Sequence, residues 1–195
     1  MELIYGIWDT SSQYIALVVL VEALANALAL EFRPYVPHII PRLLQAFKED
    51  TTDMLAETQV KVLGALVAVA SNMEEYLNLV VPVVISLYGK SSAPKFLRKR
   101  AIESLPELSS SVDLLPYTSR IVHSLVDVMA TPDEELFQIV LDAIGALAGG
   151  LGPSFVIFVP MLLKVGRNLC FVPYSCLKSF LLRPSRITVI HQQAH

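Results

Sequence analysis

Apolar residues return along this chain on a fixed step, and within each return they keep the spacing of one helix face. Ile102, Leu105 and Leu108 lie three residues apart, which lines one side of an α-helix. A step of 39 back along the chain reaches Leu63, Leu66 and Val69, and a second such step reaches Leu24, Ala27 and Leu30. The same step forward reaches Leu141, Ile144 and Leu147. Chance does not readily place twelve apolar residues on one period in a chain that is 54% hydrophobic. A period of roughly 40 residues with helical spacing inside it is the signature of stacked helical repeats. A lone helical hairpin cannot hide both of its apolar stripes, whereas stacked hairpins cover one another. The fold class expected is all-α, an open α-solenoid of about four helical hairpins.

Taken in order, residues 1–11 form a short aromatic lead, and the solenoid covers 12–167. Its hairpins fall at about 12–50, 54–90, 95–130 and 132–167, and a divergent tail read as disordered occupies 168–195. The first helix is expected over 12–30, with Leu17, Leu20, Leu24 and Ala27 on its apolar face, and its partner over 35–48. Asn72 followed by Glu75 reads as a capping box for the helix that ends at Gly89. Pro106 should bend its helix or end its regular hydrogen bonding a turn early. Thr131-Pro132-Asp133-Glu134 reads as a helix start, with a cap, a proline at the first position and acids in the first turn. The second helices repeat as well. Tyr35, Tyr76 and Tyr117 recur on a step of 41, and each is followed six residues later by Pro41, Pro82 or His123. Phe155 and Pro160 give a shortened echo in the fourth hairpin. First helices on a step of 39 and second helices on 41 imply intra-hairpin turns of variable length, which a solenoid tolerates at its surface.

Totals narrow the function classes. A charged fraction of 17% and a net charge of −3 give no basic surface for nucleic acid. The mean hydropathy of +0.55 raises a membrane reading. The uncharged stretch 143–163 is long enough to span a bilayer, but Gly149, Gly150, Gly152, Pro153 and Pro160 divide it around a turn. No integral membrane insertion is expected. The N-terminus carries no basic region ahead of its apolar residues, so no secretory signal is expected either. Two cysteines make no disulfide framework and suit a reducing cytoplasmic setting.

Candidate chemistry is sparse. Cys170, Cys176, His191 and His195 form C-x5-C-x14-H-x3-H, near a zinc-finger spacing. The cysteine gap is too long, and Pro184 interrupts the segment that should become a helix, so two free thiols in a tail is the preferred reading. Lys95, Arg98, Lys99 and Arg100 make the densest basic cluster. It could meet an acidic partner or phosphate, but a solvated helix face is the plainer account. His38 and His123 fall in different repeats without an acid or serine at a meaningful spacing. Asp133, Glu134 and Glu135 adjoin a helix start, where acids cap. No residue is assigned to catalysis, to a cofactor or to a metal.

Leu97-Arg98, Ala101, Leu105 and Leu108 resemble the first helix of a HEAT repeat. More specifically, residues from about 12 to 167 resemble the helical-repeat region upstream of the kinase domain in the target of rapamycin (TOR) kinases. The segments that carry this are Glu31 to Pro37 with Ile40-Pro41, Glu75-Tyr76-Leu77 with Val80-Val81-Pro82, Asp113 to His123, and Phe155 to Met161. The resemblance implies a right-handed superhelix belonging to a large Ser/Thr kinase of nutrient and growth signalling, in which the repeats act as scaffold. It implies protein partners: a raptor-like adaptor, other TOR complex subunits or another TOR protomer, in the cytoplasm or peripherally at endomembranes. This chain has no Asp-Phe-Gly and no Gly-rich phosphate loop followed by a suitable Lys, so only the non-enzymatic share of that function is expected of it. Repeats without their neighbours should expose apolar end faces and tend to associate.

Overall fold

A computed structural model of the chain describes residues 14–45, 47, 53–131 and 133–168. The lead over 1–11, the tail from 169 and Pro132 lie outside them. Among the described residues every regular element is helical. The helices are α1 (Tyr14–Leu28), α2 (Val36–Gln45), α3 (Asp53–Asn72) and α4 (Leu77–Gly89). They continue with α5 (Lys95–Ser111), α6 (Thr118–Met129), α7 (Glu134–Leu151) and α8 (Val159–Asn168). The chain divides into two compact units, Met1–Val112 and Asp113–His195.

In the first unit α3 packs between α1 and α5, while α4 packs on α5 and α2 on α3. α3 is buried without a break from Val62 to Ala70 because neighbours cover both of its sides. In the second unit α6 packs on α7, and α8 reaches α6. Buried residues of α5 and α7 match one for one on the shorter step: Leu97 with Leu136, Ala101 with Val140, Ile102 with Leu141, Leu105 with Ile144, and Leu108 with Leu147.

The second-helix layer is more regular than the sequence reading suggests. Each of α2, α4, α6 and α8 follows a 3-10 segment, ending in turn at Tyr35, Tyr76, Tyr117 and Phe158, all on the longer step. Three residues before each stands a buried anchor: Phe32, Met73, Leu114 and Phe155. In the first and fourth hairpins the anchor meets the closing aromatic ring, Phe32 with Tyr35 at 6.0 Å and Phe155 with Phe158 at 5.5 Å. The fourth echo is therefore not shortened. Phe158 takes the tyrosine position, and Pro160 lies in the first turn of α8, where a missing N–H costs nothing. Pro41 and Pro82 do sit inside α2 and α4.

The first hairpin corrects the sequence reading. Ala27 and Leu30 are exposed, Leu30 by 67%, Leu20 is exposed and Leu24 only half-buried. The residues α1 buries are Leu17, Val18, Val21 and Ala25; on the longer step the last three fall on Gln59, Val62 and Leu66 of α3, all buried. The cause is where α1 stops. It ends at Leu28, and Ala29, with φ of 46°, turns the chain into a seven-residue 3-10 segment (Ala29–Tyr35). The equivalent break after α7 falls on Gly152, with φ of 53°, so Gly149 and Gly150 remain helical.

Two further expectations change. α5 runs through Pro106 as a single helix to Ser111. The hydroxyls of Ser109, Ser110 and Ser111 donate back to the carbonyls of Pro106 and Glu107 within the last turns of the helix. At α7 the cap is Asp133, whose carboxylate accepts from the Leu136 amide at 3.1 Å, and Glu134 and Glu135 supply the acids of the first turn.

By length and composition, Tyr14–Gln45 and Glu134–Val165 are apolar enough to cross a membrane. Each is interrupted by its 3-10 segment. α1 has 15 residues, about 22 Å of helix, short of the roughly 30 Å hydrocarbon core.

Candidate interaction surface

One group of polar side chains in the first unit lies on its turns. Successive turns bring Leu30 and Arg33, then Ser71 to Glu75, then Ser111 and Val112 around an open cleft of about 350 Å³. Across it Arg33 and Glu75 form a two-pronged pair: Nε donates to Oε1 at 3.0 Å, and Nη2 donates to Oε2. Both side chains are largely exposed, so water screens the pair and its worth is about 0.2–1 kcal/mol. Its value is geometric, since a planar fork fixes the spacing between adjacent turns.

Glu75 therefore does not complete a capping box. Asn72 is the last residue of α3, and its amide donates to the Ala68 carbonyl at 2.8 Å and to the Ala25 carbonyl of α1 at 3.4 Å. One side chain thus closes α3 and ties it to α1. The sequence pattern N-x-x-E fits a helix start and this helix end equally well, and only the turn after Asn72 separates them.

The basic cluster is held by its own fold. Arg98 Nε donates to the Tyr88 carbonyl at 3.0 Å and satisfies the last turn of α4. Arg100 makes two bonds to Glu107, at 2.6 and 3.1 Å, and Lys99 stands 4.0 Å from Glu103. The hydrogen bond from Arg100 to Glu107 pushes the Arg100 pKa above the ordinary arginine value, against partial burial. Opposing the helix dipole is thereby offset locally, and the cluster reads as structure.

His38 and His123 are exposed on α2 and α6, and His123 Nδ1 lies 2.6 Å from the Ser119 carbonyl. Buried hydroxyls serve their own helices: Ser104 donates to the Ala101 carbonyl and Thr118 to the Leu114 carbonyl. Among the described residues no three His, Cys, Asp or Glu side chains could hold a metal together. Cys170, Cys176, His191 and His195 lie outside those residues.

In the second unit two of the turns expose apolar side chains. Leu115 and Val156 occupy equivalent positions in successive hairpins, and both are about half exposed; Ile157 is 75% exposed. What the described surfaces present is paired helices and exposed turns.

Comparison with known proteins decides the family. The family described as "Stalled ribosome sensor GCN1-like, HEAT repeats" matches residues 10–157. The chain belongs to the HEAT-repeat family. It is similar to the Serine/threonine-protein kinase tor1 of Schizosaccharomyces pombe, 34% identical over 90% of this chain and 8% of the kinase. It is also similar to the Serine/threonine-protein kinase mTor of Drosophila melanogaster, 32% identical over 74% of this chain and 6% of the kinase. The Serine/threonine-protein kinase TOR2 of Saccharomyces cerevisiae is 29% identical over 84% of this chain and 7% of the kinase. This HEAT-repeat chain thus spans less than a tenth of the length of these TOR kinases, and the all-α repeat fold expected of it is the fold it has.

Proposed function

We propose that this HEAT-repeat chain is a non-catalytic scaffold segment of a TOR-type kinase, working through protein–protein contacts in complex assembly, adaptor docking and dimerisation in nutrient and growth signalling. The observation that carries the reading is similarity to TOR kinases along 90% of the chain but over only 8% of the kinase, within helical repeats. Its residues 12–167 form the scaffold proper, and 168–195 a separate tail. Its partners are TOR complex subunits, a raptor-like adaptor or a further TOR protomer. Its place is the cytoplasm, or the surface of endomembranes as part of such a complex. The exposed turns supply the docking edges: charged in the first unit at Arg33, Glu74 and Glu75, apolar in the second at Leu115, Val156 and Ile157.

Purified chain, immobilised and offered purified raptor-like adaptor, tests this. Retention that Leu115→Asp with Ile157→Asp reduces at least tenfold is expected. No retention of the adaptor or of other TOR subunits overturns the reading. A second reading is a HEAT scaffold of another pathway, favoured by the GCN1-like description of the matching family. Retention of a different complex in the same assay would select it.

A further inference from the structure

The cleft of the first unit crosses three successive turns. On the longer step Leu30, Ser71 and Val112 are equivalent residues, and all three line it as one row. Arg33 and Glu74 are equivalent in the same way and form a second row three residues further on. Leu30 is 67% exposed there, a large apolar side chain that its own unit leaves to water. Val112, two hairpins on, is half-buried. Of the three charged residues in the lining, Arg33 and Glu75 neutralise each other. Glu74 is exposed, and its carboxylate has no ion pair among the described residues. Hairpin by hairpin, the cleft presents an aliphatic contact, an uncompensated carboxylate and a second aliphatic contact.

We infer that this cleft takes an extended cationic segment of a partner protein, in which one Arg or Lys stands three positions from an aliphatic residue on either side. Spacing carries the pattern. Packed helices are roughly 8–10 Å apart, so successive turns recur at about that interval. A polyproline-II segment has three residues per turn and a rise of roughly 3.1 Å, which returns a side chain to one face about every 9 Å. Its residues i, i+3 and i+6 therefore meet Leu30, Glu74 and Val112 in turn. A β-strand sends residues three apart to opposite faces, and an α-helix rises only about 4.5 Å over three residues. Among the described residues no sheet edge offers backbone pairing, and polyproline II needs none, because its backbone stays hydrated. The central cation meets Glu74, and Arg33 does not compete because Glu75 holds it. An acidic residue at the same place would face two carboxylates and be repelled. This inference rests on the reading of the exposed turns as docking edges and specifies what the edge of the first unit holds.

Fluorescence anisotropy of the full chain with fluorescein-labelled Gly-Leu-Pro-Pro-Arg-Pro-Pro-Leu-Gly tests it. Saturable binding is expected. Glu74→Lys and Leu30→Asp, both at exposed side chains, should each weaken it at least tenfold with the helical circular-dichroism spectrum unchanged. The peptide with Glu in place of Arg should bind the Glu74→Lys protein more tightly than it binds the parent. Moving one proline, to give Gly-Leu-Pro-Arg-Pro-Pro-Pro-Leu-Gly, should also cost at least tenfold. No saturable binding, binding indifferent to Glu74→Lys, or equal binding of the two spacings would each overturn the inference. If the peptide fails to bind while the chain retains a TOR complex subunit, this inference falls and the scaffold reading stands. If the peptide binds as expected and no subunit is retained, the TOR reading falls alone.

Discussion

Arg33 and Glu75, far apart in the chain, meet as a two-pronged ion pair between the turns of successive hairpins. Because both side chains are exposed, a double-mutant cycle of Arg33→Ala and Glu75→Ala should return a coupling of about 0.2–1 kcal/mol. The coupling should shrink at molar salt, where the Debye length falls to about 3 Å. Urea unfolding at low and high salt measures both. A salt-independent coupling would mean that packing, not charge, joins the two turns.

Leu105 and Leu30 belong to one apolar series in the sequence but to opposite environments in the fold. Leu105 is fully buried in α5, so Leu105→Ala should cost about 2–5 kcal/mol. Leu30 is 67% exposed, and Leu30→Ala should stay within about 0.5 kcal/mol of the parent. Denaturation midpoints of the two variants check this directly, and equal losses would refute the register assigned to α1.

Asn72 closes α3 and reaches the Ala25 carbonyl of α1. Asn72→Ala removes both bonds and should cost about 1–2 kcal/mol. Glu75→Ala, which would remove the acceptor of a capping box, should leave amide exchange at the start of α4 unchanged. Faster exchange there in that variant would restore the capping-box reading.

Ala29 holds a left-handed backbone conformation that its equivalent in the fourth hairpin assigns to Gly152. Ala29→Gly should therefore stabilise the first unit by about 0.5–1 kcal/mol, since glycine bears no Cβ to strain at positive φ. A lowered thermal midpoint would show that the turn prefers the alanine for other reasons.

The repeat was legible because residues such as Ile102, Leu105 and Leu108 are buried on one face and exposed polar neighbours mark the other. The register of the first hairpin was not. α1 carries apolar residues on its exposed as well as its buried side, so Leu24, Ala27 and Leu30 fit a period as well as Val21 and Ala25 do. What decides between them is the turn at Ala29, and hydropathy carries no sign of a backbone angle. The Arg33–Glu75 pair escaped for a related reason, since side chains that meet only when hairpins stack have no local spacing to betray them. The roles of Arg98 and Arg100 were hidden likewise, because a charge run looks the same whether it serves a partner or its own helix.

α3 packs between α1 and α5, with Asn72 fastened across to α1. Sub-global opening should therefore begin in the flanks: α1 and α2 can detach while α3 stays docked on α5. In native-state hydrogen exchange the amides from Val62 to Ala70 should be the last to be labelled. The endurance of this unit would then rest on its middle beam, which yields only when everything around it comes apart.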